Sequence, residues 1–214
     1  MNLFTFLSEN RAVIAQSLAQ HLQLVLVSVG LGILLSVPLG ILLTRHPRFA
    51  EPVLALAGII QTIPGLVMLG FALILFGVGF VPALFVLTLY SILPILRNTY
   101  VGVTQVSRGY TDAARGIGMT NMQILFQVEL PLALPTIISG IRISTVYIVS
   151  WATLAGMIGA GGLGDLIWTG LSTYNTNFIL AGAIPSALLA LLFSMAIDLV
   201  QRLLTPRGLR RKRI

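Results

Sequence analysis

The chain has 214 residues, of which 57% are hydrophobic and 9% charged, and its mean hydropathy is +0.98. An ordinary soluble domain is about 25% charged, so this chain lacks the polar surface to cover a water-soluble globule, and its long uncharged runs point to a polytopic membrane protein. The net charge of +7 is concentrated at one end: six of the 13 basic residues lie between Arg202 and Ile214, where there is no acid, a pattern that excludes a distributed nucleic-acid face and reads as a cytoplasmic anchor.

Residues 1–21 read as mildly amphipathic, with Glu9 and Arg11. No signal-peptide pattern fits, because the apolar stretch that follows is too long and has no small-residue cleavage site after it. That stretch, Leu22–Leu43, has 22 residues. At a rise of ~1.5 Å per residue it covers ~33 Å, enough for the hydrocarbon core. It is the first predicted span, closed by the basic segment 44–51.

Pro52–Leu96 is 45 residues without a formal charge, room for two spans. Gly77 to Pro82 supplies the turn, so span two is predicted over 53–77 and span three over 82–101. Gln61-Thr62-Ile63-Pro64-Gly65 interrupts span two. Such a break is tolerated in a membrane helix only where neighbours or water satisfy the freed backbone groups. It reads as a packed kink or as part of a pathway lining.

Residues 102–131 form the longest predicted segment outside the membrane and hold Arg108, Asp112, Arg115 and Glu129. Span four follows over 132–157, then the glycine-rich stretch 156–164. An aromatic and polar segment comes next, with Trp168 and Tyr174 fitting an outer aromatic belt. Span five is predicted over 178–200. The positive-inside rule places the tail, the 44–51 loop and the 102–131 loop on the cytoplasmic side, with the N-terminus outside. The fold expected is an all-α membrane protein of about five transmembrane helices plus one cytoplasmic helix, a single domain over 1–214 with its core at 15–205 and a basic tail at 202–214.

Absent residues narrow the chemistry. There is no Cys, which excludes disulfides, thiolate zinc sites and Cys nucleophiles. The single Lys is Lys212, followed by Arg213, so no phosphate-binding loop of the Gly-Lys-Ser/Thr kind exists. His21 and His46 have no third ligand at helical spacing and read as interfacial or loop residues.

The 102–131 segment carries the most specific pattern. Thr111-Asp112-Ala113-Ala114-Arg115-Gly116-Ile117-Gly118 predicts a short helix capped by Thr111 or Asp112 and ended by Gly118. Met119, Met122, Leu125 and Phe126 then recur at helical spacing, and Pro131 is expected to mark the return into the membrane. An exposed helix with a small-residue face suits docking into a groove on another protein, or is an ordinary interfacial linker.

Ala113, Ala114, Gly118, Leu130 and Pro131 stand in the register of the EAA motif of ABC importer permeases, with Asp112 in place of Glu and Val128 in place of Ile. The loop resembles the coupling loop of that family. Ile60 to Pro64, Leu93 to Tyr100 and Ile158 to Gly164 resemble permease subunits of osmoprotectant importers, which carry glycine betaine, carnitine, choline or related compounds. The resemblance covers about residues 15–205. It implies a five-helix core of the methionine-permease type in a prokaryotic cell membrane. It implies a second permease chain, identical or homologous, and a dimer of ATPase subunits that hold ATP and Mg. It also implies a separate extracytoplasmic binding protein, and no cofactor on this chain. Asp112, Ala113, Ala114, Arg115, Gly118, Leu130 and Pro131 are then the ATPase-coupling residues. Gln61, Thr62, Pro64, Gly161, Gly162 and Gly164 are candidates for the translocation path or gate.

Arg97 and Arg142 either snorkel to the cytoplasmic surface or face the bundle interior. Trp151 reads as lipid-facing or core. No compact aromatic cluster that would hold a quaternary ammonium is evident in the sequence. High-affinity recognition is therefore expected of the binding protein. An intramembrane aspartyl protease is a distant rival, because Gly162-Leu163-Gly164-Asp165 fits a Gly-x-Gly-Asp pattern. It needs a second carboxylate close to Asp165, and the topology supplies none. A stand-alone carrier would need ion-coupling carboxylates within the spans. A permease for methionine or another amino acid is the nearer alternative.

Overall fold

The computed structural model describes residues 3–205, and all their regular structure is helical. The part of the basic tail beyond Thr205 lies outside the described residues. Helix α1 is Leu3–Glu9, and α2 runs unbroken from Arg11 to Arg45. The first predicted span is therefore too short. Nothing between Arg11 and Leu22 breaks a helix, so the amphipathic lead-in is continuous with the span. His21 is fully buried in α2 rather than interfacial. His46 is an exposed junction, as expected of a loop residue.

The segment expected to be a loop at 44–51 is mostly helix, because Pro47 is pre-set for a first helical turn. Helix α3 (Pro47–Thr62) and α4 (Gly65–Phe76) meet at a bend of 91°. Span two is thus a broken pair, not one kinked helix. At ~1.5 Å per residue the halves measure about 24 and 18 Å, each short of the ~30 Å hydrocarbon core. Helix α5 (Phe80–Thr104) matches span three. Among the described residues, four helices are long and apolar enough to cross a membrane, or five crossings if the bent pair counts as one.

Helix α6 (Arg108–Gly116) is the predicted short helix. Helix α7 (Asn121–Ile124) leads through a π-helical turn, Leu125–Glu129, into α8 (Leu130–Ala155). Pro131 therefore sits in the first turn of α8 without interrupting the helical path. It brings no N–H to the ladder, and the helix widens into the π turn just ahead of it. After a 3-10 turn at Gly156–Ile158 come α9 (Leu163–Ser172), a helix hidden in the predicted outer segment, and α10 (Thr176–Leu204).

Helices α2, α5 and α8 form the centre, with Leu24, Val25, Val86, Leu87, Ile148 and Val149 in its core. In a bilayer, helices associate through close packing and interhelical hydrogen bonds rather than hydrophobic burial. The seams show both. A Cβ on Gly32 would lie 2.0 Å from Ser91 Oγ, and one on Gly140 would lie 2.5 Å from Asn98 Cβ. Ser36 Oγ donates to the Ile92 carbonyl at 3.2 Å, and Ser144 Oγ to the Ser91 carbonyl at 3.0 Å. Arg142 pairs with Asp198 at 3.0 Å and ties α8 to α10, a half-buried pair in which its charge is matched. Arg97 is exposed and lines, with Glu51 and Tyr100, a cavity of about 540 Å³ between α3 and α5.

Candidate functional site

Three groups of residues stand out. The first is the loop around α6. Ser107, not Thr111 or Asp112, caps this helix, since Ser107 Oγ accepts from the Gly109 N–H at 3.4 Å. The cap lies four or five residues earlier than expected, so Thr111 faces inward and donates to the Arg108 carbonyl. Asp112 and Arg115 lie exposed and pair at 3.3 Å. Ala113 is exposed, whereas Ala114 is buried against the bundle. Gly118 ends the turn at φ +86°, with nothing within 4 Å of where a Cβ would point. It occupies a left-handed position that favours glycine.

Beyond Gly118, Thr120 and Gln123 form a reciprocal capping box that restarts the helix. The Thr-x-x-Gln spacing could have revealed it. The expected single apolar face is split: Leu125 is buried, while Met122 and Phe126 are about 60% exposed. Tyr110 and Ile117 add to that exposed apolar surface. Leu130 and Pro131 belong to the first turn of α8. Next to them the buried Glu129 carboxylate accepts two hydrogen bonds from the Arg45 guanidinium at the end of α2. No pattern in the sequence signals that pair, whose partners are 84 residues apart.

The second group surrounds the break between α3 and α4. Gln61 Nε2 donates to the Tyr90 carbonyl at 2.9 Å, and the Tyr90 hydroxyl donates to the Ile63 carbonyl. Thr62 donates to Ile59, within its own helix, and Pro64 is exposed. The freed backbone groups of the break are thus partly satisfied from α5. Trp151 of α8 lies over Gly65, and its ring centroid is 5.3 Å from that of Tyr90. Gln61, Tyr90, Tyr147 and Trp151 line a cavity of about 160 Å³. A compact aromatic cluster therefore exists, contrary to the sequence reading. Its members are 57 and 61 positions apart in the chain, and only the packing of α5 on α8 brings them together.

The third group is the glycine-rich stretch. Gly159, Gly161 and Gly162 all have positive φ. The Gly162 N–H donates to Gln20 Oε1 at 3.1 Å, and a Cβ on Gly164 would lie 2.1 Å from the Thr153 carbonyl. The stretch is wedged between α2 and α8. Trp168 is half-buried and Tyr174 is 96% exposed.

Asp165, in the first turn of α9, has one carboxylate oxygen buried without a hydrogen-bond partner. Burial pushes its carboxyl above the usual carboxylate range. The folded chain then holds this proton more tightly than the unfolded chain does. Stability contributed this way is greatest at low pH and falls as pH rises through the raised value. Asp165→Asn is expected to flatten that slope, as read from melting temperature between about pH 4 and pH 7. Equal slopes in both proteins would refute it. Asp198 is engaged by Arg142 and Arg202.

Residues 32–210 match the family described as binding-protein-dependent transport system inner membrane component. The chain belongs to this family. It is 44% identical to the glycine betaine/carnitine/choline transport system permease protein OpuCB of Bacillus subtilis, over 97% of this chain and 95% of that protein. It is 45% identical to the carnitine transport permease protein OpuCB of Listeria monocytogenes, over 99% and 97%. The fold matches a chain of the MetNI methionine ABC transporter in an inward-facing conformation, with a TM-score of 0.82 and 25% identity over 92% of this chain and 98% of that one. This permease is thus a multi-pass membrane component of an ABC importer and not an enzyme. Membership implies an ATPase and a binding protein as its partners.

Proposed function

We propose that this permease carries compatible solutes bearing a quaternary ammonium, such as glycine betaine, carnitine or choline, across a prokaryotic cell membrane. The identity to osmoprotectant permeases over nearly the whole chain carries this reading. The permease pairs with a second permease, identical or homologous, and receives solute from a separate extracytoplasmic binding protein. An ATPase dimer, which binds ATP and Mg, docks on residues 111–118. ATP-driven closure of that dimer moves α6, and α6 moves the bundle between inward- and outward-facing states. The exposure of Asp112, Ala113 and Arg115 and the sharp stop at Gly118 support docking there. Gln61, Thr62 and Pro64 border the path. Gly161, Gly162 and Gly164 brace the outer gate by close packing. The N-terminus faces outward and the C-terminus the cytoplasm.

The likeness to a methionine transporter favours a second reading, an amino-acid importer. Reconstitution with the ATPase and binding protein separates the two. ATPase activity stimulated by a quaternary amine supports the first; stimulation by methionine alone replaces it with the second. Gly118→Asp tests the coupling loop in the same assay. A Cβ there has no atom within 4 Å, so the substitution is expected to cost about 1 kcal/mol of left-handed strain while placing a charge on the docking face. Solute-stimulated turnover is expected to fall several-fold with the melting temperature nearly unchanged. Full turnover in Gly118→Asp would remove residues 111–118 from the coupling role.

A further inference from the structure

The cavity lined by Gln61, Tyr90, Tyr147 and Trp151 opens at the break between α3 and α4. Tyr90 is the eleventh of 25 residues in α5, which places it near the middle of that span. Discontinuous helices near the midplane are where transporters build solute sites, since only there does irregular backbone line a cavity. Three of the four lining residues are aromatic, and none is charged.

We propose that this cavity is a transmembrane binding site for a quaternary-ammonium headgroup. The assignment rests on the osmoprotectant reading above and adds a site within the permease itself. Cations are attracted to the faces of Trp and Tyr rings, more strongly when desolvated. A primary ammonium brings three N–H donors that need acceptors. Here the Tyr90 carbonyl already accepts from Gln61 and the Ile63 carbonyl from the Tyr90 hydroxyl, which leaves Gln61 Oε1 and the tyrosine hydroxyl oxygens as neutral acceptors and no carboxylate. A methylated ammonium carries no N–H, so it enters such a cavity without leaving an orphan donor. The cavity therefore prefers a quaternary amine over an amino acid. The negative end of α3 and the positive end of α4 meet beside it and offset one another, which leaves the rings to set the preference. Tyr147 is 57% exposed, so its ring closes the open side and is the member that can be truncated without emptying the core.

The test is binding of radiolabelled choline to the assembled permease–ATPase complex in lipid nanodiscs, without binding protein. Saturable binding is expected. Tetramethylammonium should displace the label, and the uncharged tert-butyl analogue of choline should not. Tyr147→Ala is expected to weaken binding about tenfold, the loss of one ring contact of about 1.4 kcal/mol. Tyr147→Phe keeps the ring and should bind as the wild type does. Absence of saturable binding, equal displacement by the uncharged analogue, or an unchanged affinity in Tyr147→Ala would each overturn the site. Uptake by the complete system with its binding protein separates the two readings. Choline uptake without binding in the nanodisc complex removes the cavity site alone. Uptake of methionine and of no quaternary amine removes the osmoprotectant reading, and this site with it.

Discussion

Gly65→Ala is expected to reduce solute uptake more than tenfold without altering any charge. A Cβ at this position would lie 1.8 Å from Trp151 Cζ3 and within 2.5 Å of two more atoms of the same ring. Something must move by more than an ångström. Trp151 is backed by Tyr90, whose hydroxyl holds the Ile63 carbonyl and whose own carbonyl holds Gln61. Displacing the indole therefore disturbs the contacts that keep the helix pair bent. Overpacking of this kind costs about 1–3 kcal/mol, and the bend absorbs it because α4 has few anchors: only Gly65, Leu69 and Ala72 of its 12 residues are buried. Uptake in vesicles measures the loss. Trp151→Leu in the same chain restores space, so assembly should recover while uptake stays low. Normal uptake by Gly65→Ala would show that Trp151 moves aside freely and that the bend does not depend on it.

The parts of this architecture that were legible in the sequence are those set by local composition. Uncharged runs located the long helices, and Gly118 announced the end of α6. The break at Gln61–Gly65 was visible because Pro and Gly in an apolar run need a reason. Its angle was not visible, because 91° is set by Tyr90 and Trp151 reaching in from other helices. The aromatic cavity was missed on the same ground. The glycine stretch at 156–164 is conspicuous by composition, but its tight partners, Gln20 and Thr153, lie in helices that no spacing rule connects to it. The buried His21 was misjudged because α2 begins eleven residues before the apolar run does. Ser107 was passed over as a cap in favour of Thr111 and Asp112, since several residues in this polar segment suit that role.

Arg45→Ala is expected to lower the melting temperature more than Glu129→Gln does, and to weaken coupling as well. The two partners sit in unequal surroundings. The Arg45 side chain is 41% exposed and that of Glu129 only 10%. Without Arg45 the carboxylate stays buried and unpaired, a penalty of about 1–3 kcal/mol. Without the carboxylate charge, the guanidinium turns toward water at little cost. The pair joins the end of α2 to the π turn that links α7 with α8. Its loss should therefore also lower solute-stimulated ATPase, because movement of α6 and α7 would no longer be passed to α2. Replacing both partners with apolar residues, Arg45→Met with Glu129→Leu, should recover the melting temperature. Thermal unfolding in detergent and turnover in liposomes give the two readouts. A larger loss from Glu129→Gln would reverse the assignment of which charge bears the cost.

The bend between α3 and α4 also constrains how the protein is made. Neither half spans hydrocarbon alone, yet residues 52–96 offer an insertion machinery one uninterrupted uncharged stretch. The groups that hold the bend, the Tyr90 hydroxyl and the Trp151 indole, are synthesised after it, on α5 and α8. Bending is thus a late step of maturation, completed only when α8 has arrived in the bundle. Before α5 arrives the Ile63 carbonyl has no donor, and before α8 arrives no indole packs over Gly65, so a chain halted at either point leaves the break exposed.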